Sequence, residues 1–201
     1  MRSTSSFATR LAARFQELRK SDAKAVVLTG QGKIFSAGVD LKRLSCRRTP
    51  TIFVDSCRPS TASMRRCSSI RKPVVAAING HAIAGGCVLA CCADRRIMAR
   101  EAGRIGVTEI LVGVPFPALA FEIVRFAVPP RYLPEFTLSG ATYATDEALR
   151  RGWVDELAEP VRPHGRCNGG RAGTVVAFAG GALRRQKCKF VSRWSNACKK
   201  R

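Results

Sequence analysis

Two segments of the chain repeat one arrangement, in which a short apolar run is followed by a glycine-rich loop and the start of a helix. The apolar runs are 25–29 and 73–78, and the loops are 30–38 and 79–87. Short apolar runs rich in β-branched residues predict buried strands. Backbone N–H groups at such junctions are free to bind negative charge. Either loop alone is typical of an ordinary tight turn, whereas the pair constrains the fold and the chemistry much more.

The glycine loops do not fit the common nucleotide-binding patterns. Gly30 and Gly32 begin a G-x-G sequence, but the sixth position holds Phe35 instead of glycine. Lys33 follows Gly32 without the Ser or Thr that a P-loop places next. Two converging amides favour a different role, which is to stabilise an oxyanion that develops in a reaction.

Other elements with a clear period lie around these two segments. The spacing predicts helices over 7–20, 85–93, 117–127 and 132–139, strands over 97–99 and 153–157, and a loop or strand end over 105–109. We expect Thr145 to cap the start of one more helix, and Asp40 to precede another over 39–44. Residues 45–70 and 161–201 show no sustained period.

The formal charge of +21 would normally suggest a nucleic-acid partner. The charge is uneven, however, because residues 73–160 hold eight basic and ten acidic side chains, whereas 161–201 hold eleven basic and none acidic. This tail has few aromatic residues for base stacking, namely Phe178, Phe190 and Trp194. We therefore expect a disordered basic tail, and a nucleic-acid partner is the weaker alternative.

Cysteine usage and hydropathy exclude several further classes. Nine cysteines, an odd number, with no C-x-x-C pair argue against a disulfide framework and a structural zinc site. Cys87 and Cys91 share a helix face in an apolar run and are interpreted as core thiols. No apolar run could span a membrane, and no secretory signal is present. A cytoplasmic or mitochondrial protein is expected, since the Arg- and Ser-rich start also resembles a transit peptide.

The sequences AVVLTGQGKIFSAGVDLKRL (25–44) and KPVVAAINGHAIAGGCVLACCA (72–93) resemble the two signature regions of the crotonase, or enoyl-CoA hydratase/isomerase, family. The resemblance continues over 94–157. It implies an α/β fold, a crotonase-like spiral of ββα turns, with a core over 1–160. The core is expected to be incomplete at the N-terminus, over 45–70 and at the C-terminus, which argues against the homotrimer or hexamer of the family. The basic segments also have the composition of a coding sequence read out of frame.

The resemblance also implies a CoA thioester as substrate, with no metal or redox cofactor. The N–H groups of Val39 and Gly85 would form the oxyanion hole that stabilises a thioester enolate. The substrate-binding residues that it implies are Ala37, Gly38, Asp40, Leu41 and Gly86.

Hydratases of the family use two glutamates, and this sequence offers one of them. Glu109 fills the loop position and is the expected acid/base, because its apolar neighbours favour a raised pKa. Val88 stands where the second glutamate would be, so isomerisation is favoured over hydration. His81 is interpreted as a turn residue. The alternative is a non-catalytic crotonase remnant, or pseudoenzyme.

Overall fold

The computed structural model describes residues 4–38, 61–101 and 103–159. Its strands are β1 (Val26–Thr29), β2 (Ile34–Ser36), β3 (Val74–Ile78), β4 (His81–Ile83), β5 (Arg95–Ala99), β6 (Arg104–Gly106), β7 (Tyr143–Ala144) and β8 (Glu156–Ala158). Its helices are α1 (Thr4–Lys20), α2 (61–68), α3 (Gly85–Cys91), α4 (Ala118–Ala127), α5 (Leu133–Leu138) and α6 (Thr145–Arg151), with 3₁₀ turns at Glu109–Val112 and Pro130–Tyr132.

The strands form two four-stranded sheets. One has the order β1-β3-β5-β8 and is entirely parallel. The other has the order β2-β4-β6-β7, in which only the last pair is antiparallel. Strands β1 to β6 therefore alternate between the sheets, so that each turn of the chain adds one strand to each, and β7 and β8 complete the second and the first sheet. This repeated turn confirms the α/β, crotonase-like spiral.

Helix α3 lies in the middle of the core. Residues 86–91 of its seven are all buried, and Val88 has no exposed surface. A helix that is apolar all round must be covered on every side. It packs with Val74, Ile78 and Met98 of the first sheet in one hydrophobic cluster. The first turn of α3, which carries Gly85, is therefore held in a rigid surrounding.

Helix α1 belongs to the folded body, because Phe15 is only 1% exposed. The buried Lys72 anchors its end by donating from Nζ to Leu18 O (2.6 Å) and to Ser21 Oγ (3.0 Å). Helix α1 therefore contributes to the core of the described residues. Within the described ranges, no helix combines the length and the apolar character needed to cross a bilayer.

The longer predicted elements are present, whereas the short strands β2, β4 and β7 were not predicted. The sequence assigned them to loops because two or three residues are too few to show a period. The predicted cap at Thr145 is wrong: Ala144 is the N-cap, with no side-chain hydrogen bond, and Thr145 is the first helical residue.

Although the sequence of 45–70 shows no sustained period, its last ten residues are folded. They form helix α2 and the turn that follows, with Ser63, Met64, Cys67 and Ile70 buried. This helix was not recognised in the sequence because its buried face combines serine and cysteine with only one strongly apolar residue, Met64. The predictions for 45–60 and for the tail 161–201 fall outside the described residues.

Candidate active site

The two glycine loops converge because the strands before them are neighbours. Strand β2 pairs in parallel with β4, and Ser36 lies opposite Ala82. A methyl group placed on Gly38 would lie 3.1 Å from Gly85 N, and one on Gly85 would lie 3.6 Å from Gly38 Cα. The two loops thus contact each other at Gly38 and Gly85, as the paired pattern predicted.

Glycine is required sterically at two of these positions. Gly38 has φ of 80°, which side chains disfavour. A methyl group on Gly86 would lie only 2.0 Å from Ser36 O, because α3 begins directly against β2. This close approach explains the second glycine of the pair and brings the start of α3 to the end of β2.

A strained residue precedes Gly85. Ala84 has φ of 53° and ψ of −127°, an unusual conformation for a residue with a side chain. Its carbonyl accepts hydrogen bonds from the N–H groups of Cys87 (2.9 Å) and Val88 (3.2 Å), and its own N–H donates to Gly106 O (2.9 Å). The sequence offered no signal for this strain. Gly85 then begins the helix, so its N–H has no acceptor within α3 and can bind a ligand oxygen.

The other predicted binding residues divide between the described and undescribed parts of the chain. Ala37 is exposed and directly precedes Gly38. Val39, Asp40 and Leu41 lie outside the described residues, so the second oxyanion donor remains a prediction.

Glu109 is the first residue of the 3₁₀ turn that follows β6. Its Oε2 atom is buried and has no hydrogen-bond partner among the residues of known position. Burial raises the pKa of this carboxyl, and hydrogen bonds from the backbone at Glu109 and Thr108 lower it in part. A carboxyl group with a raised pKa and a free oxygen is suited to accept and return a proton.

Helix α3 carries a thiol, that of Cys87, whose pKa is affected by the charge of Glu109. The pKa of Cys87 is raised chiefly by burial, and the neighbouring Cys91 and the negative charge of Glu109 raise it further. Strand β6 also ends beside the start of α3, because Ala84 N–H donates to Gly106 O at 2.9 Å, and Glu109 follows three residues after Gly106. Val88, in the next position of α3, is fully buried and adds no titratable group.

His81 lies at the start of β4 and is exposed. Its Nδ1 accepts a hydrogen bond from the backbone N–H of Arg104 at 3.3 Å. A methyl group on Gly103 would lie within 3.0 Å of the ring, so the imidazole packs against this connection. His81 is therefore the first residue of a strand, directly after Gly80, and the prediction of a turn residue is wrong.

Comparison with known proteins identifies the class. The family model described as enoyl-CoA hydratase/isomerase matches residues 4–161. The chain belongs to this family, and the resemblance seen in its two signature segments is confirmed.

Curated relatives carry hydratase names. A Thermus thermophilus protein named "Putative enoyl-CoA hydratase" is 40% identical over 140 residues, which are 68% of this chain and 54% of the relative. The (E)-benzylidenesuccinyl-CoA hydratase of Thauera aromatica is 31% identical over 144 residues, covering 69% of this chain and 54% of that protein. The chain thus spans about half the length of these relatives.

Solved structures show the same fold. An enoyl-CoA hydratase/carnithine racemase from Magnetospirillum magneticum superposes with a TM-score of 0.81 at 23% identity, covering 96% of this chain and 72% of that one. The enoyl-CoA hydratase structure from Geobacillus kaustophilus has a TM-score of 0.80 at 23% identity, covering 94% and 71%.

Proposed function

We propose that the chain binds an acyl-CoA thioester where Gly38 meets Gly85 and transfers a proton on the bound acyl group. The observation that carries this proposal is the combination of a helix-starting amide at Gly85 with the unpartnered, half-buried carboxyl of Glu109. The amide supplies a hydrogen bond to the thioester oxygen, and such a donor typically contributes about 2.7–4 kcal/mol to the transition state.

Isomerisation of a 3-enoyl thioester is the reaction that one carboxylate can complete. Glu109 takes a proton from the carbon next to the carbonyl, and the electron pair moves into a dienolate whose oxyanion accepts from Gly85 N–H. The same carboxyl returns the proton two carbons further along, which moves the double bond into conjugation. No redox cofactor takes part, because no electron leaves the substrate.

Hydration requires in addition a group that orients and deprotonates water. The position of the second glutamate is occupied by Val88, which has neither a proton acceptor nor contact with solvent. We therefore propose that hydration is weak compared with isomerisation. The setting that we propose is the cytoplasm or the mitochondrion.

A second candidate function is acyl-CoA binding without catalysis. It is favoured by Val88, which leaves this buried position of α3 without a second carboxylate. Turnover distinguishes the two candidates, since both bind the thioester.

The test compares the purified full chain with Glu109→Gln. Calorimetry measures acyl-CoA binding, and the conjugation of a 3-enoyl-CoA is followed by its absorbance. Loss of a general acid/base typically costs about 10²–10⁴-fold in rate, so we expect such a loss with binding retained. Glu17→Gln, an exposed change on α1, is the control. Binding without turnover by the unmodified chain would identify the non-catalytic function, and a folded sample that binds no thioester would overturn both.

Val88→Glu tests the preference for isomerisation. It should raise hydration of crotonyl-CoA, whereas Val88→Gln, of the same size but unable to take a proton, should not. Strong hydration by the unmodified chain that Glu109→Gln abolishes would contradict the argument from Val88.

A further inference from the structure

The two glycine loops begin side by side, at one edge of the first sheet. Strand β1 ends at Thr29 and pairs in parallel with β3, so the carboxyl ends of both strands lie at the same edge. Gly30 directly follows β1, and Asn79 directly follows β3. The first residue of each loop therefore lies next to the first residue of the other.

The side chain of Asn79 joins the loops through both ends of its amide. Its Oδ1 accepts a hydrogen bond of 2.8 Å from Gly30 N–H, and its Nδ2 donates one of 2.8 Å to Gly32 O. The amide thereby binds the backbone of the first loop as a peptide group of a neighbouring strand would. Because the bonds use a donor and an acceptor at once, neither a carboxylate nor an apolar side chain can replace them.

Backbone contacts continue this junction beyond Asn79. His81 N–H donates to Lys33 O at 3.1 Å, and a methyl group on Gly80 would lie only 2.0 Å from that oxygen. Strands β2 and β4 begin here, at Ile34 and His81, and run in parallel toward the candidate site. The two loops are thus packed together where these strands begin.

The strands connect the junction to the site. Gly38 and Gly85 each lie four residues after the first residue of β2 and β4, respectively, which is about 13 Å in an extended chain. Because both strands are short and paired with each other, a displacement of one loop at the junction also displaces its glycine at the site. Asn79 therefore fixes the position of one loop relative to the other.

We infer that Asn79 is a positioning residue, whose amide sets how closely the two glycine loops approach each other at Gly38 and Gly85. The inference rests on the proposed function, because it requires the thioester carbonyl to bind where these glycines meet. A misplacement of about 1 Å in such a site can cost about 10²-fold in rate. The loss falls on the reaction more than on binding, since an oxyanion donor acts on charge that develops in the transition state.

The first experiment compares Asn79→Ala with the unmodified full chain. Infrared spectra of bound butanoyl-CoA, labelled with carbon-13 at the thioester carbonyl, report how strongly the loops polarise this bond, because a hydrogen bond to the oxygen lowers its stretching frequency. The saturated acyl group cannot isomerise, so the frequency tests the inference even in a chain that binds without turnover. We expect a smaller lowering in Asn79→Ala. Its kcat for a 3-enoyl-CoA should fall by about 10- to 100-fold, with a much smaller change in KM.

Asp94→Ala is the matched control. Asp94 Oδ2 accepts a hydrogen bond of 2.7 Å from Val74 N–H, at the first residue of β3, whereas Asn79 follows the last. The control therefore also removes a side chain that binds a strand backbone, but at the end of β3 away from the glycine loops. Urea unfolding should show a loss of stability, while the carbonyl frequency and kcat remain those of the unmodified chain.

Asn79→Asp avoids the risk that Asn79→Ala fails to fold. The introduced carboxylate keeps an acceptor for Gly30 N–H but cannot donate to Gly32 O. At neutral pH the carbonyl frequency should therefore change in the same direction as in Asn79→Ala. Below about pH 4 the carboxyl group is protonated and can donate again, so the frequency should return toward that of the unmodified chain at the same pH.

Specific outcomes would overturn the inference. Unchanged carbonyl frequencies and unchanged kcat in the folded Asn79 variants would overturn this inference alone and leave the proposed function standing. An equal change in Asp94→Ala would also overturn it, because lost stability and not the placement of the loops would then be the cause. Failure of the folded, unmodified chain to bind any acyl-CoA would overturn both the inference and the proposed function.

Discussion

The two halves of the candidate site are built in opposite ways. The glycine junctions are held by backbone packed against backbone, as shown by the 2.0 Å that would separate a Gly86 methyl group from Ser36 O. The turn Glu109–Val112 instead carries side chains that the described residues cover poorly, with Ile110 46%, Leu111 67% and Val112 50% exposed. One half is sterically rigid, and the other is defined by partial burial.

This difference matches the proposed roles of the two halves. An oxyanion donor must be in place before the charge develops, so rigid packing favours its function. An acid/base needs a pKa near the working pH, and partial burial raises the pKa of Glu109 in that direction.

The largest effect is expected from a substitution in the rigid half of the site, the glycine junctions. Gly86→Ala forces a methyl group into the backbone of β2, which cannot yield, and we expect a loss of about 3 kcal/mol or more in the free energy of unfolding. Gly85→Ala is the matched control in the same helical turn, because its methyl group would meet only ordinary contacts at 3.6 and 3.7 Å. We expect this control to be as stable as the parent or slightly more stable. Urea unfolding measures both, and equal losses would show that the contact with Ser36 is unimportant.

A smaller effect, on the pH dependence of stability, is expected in the other half of the site, at the partly buried Glu109. The folded-state pKa of Glu109 is raised above its unfolded value, so between the two values the folded state binds more protons and stability falls as the pH rises. Glu109→Gln removes this penalty. The variant should therefore be more stable than the parent at pH 7–8, and the difference should vanish below about pH 4.

The measurement is urea unfolding at a series of pH values. The exposed Glu17→Gln on α1 serves as the control and should show no such pH-dependent gain. A stability difference for Glu109→Gln that is constant from pH 4 to 8 would mean that burial of the charge is not its cause.

The smallest effect concerns the strain at Ala84. Glycine adopts positive φ without a steric penalty, so Ala84→Gly should raise the free energy of unfolding by about 1 kcal/mol. Ala13→Gly, in the middle of α1, should lower it by a similar amount. Thermal unfolding of both variants measures the two shifts, and a loss of stability in Ala84→Gly would show that this conformation carries no strain.

Much of the site could be predicted because glycine requirements are local. A backbone that approaches another backbone closely or has positive φ disfavours a side chain, and this need is visible as Gly86 and Gly38 in the sequence. Glu109 was also found, through its position in the resemblance and its apolar neighbours. The long helices and the apolar strands were recognised for a similar reason, since each has a period of its own.

What the tertiary structure alone decided depends on contacts between distant segments. The pairing of β2 with β4 brings the two loops together, yet neither strand is long enough to show a period. Helix α2 has a weak apolar face, and packing in the assembled core, with the hydrogen bond from Ser63 Oγ to Ala8 O, brings Met64 close to Gly85. The burial of Glu109 Oε2 is likewise a sum of non-local contacts. The sequence by itself therefore determined which residues are candidates for the site, whereas packing decided their neighbours and their pKa, because burial is a property of the assembled chain and not of any one segment.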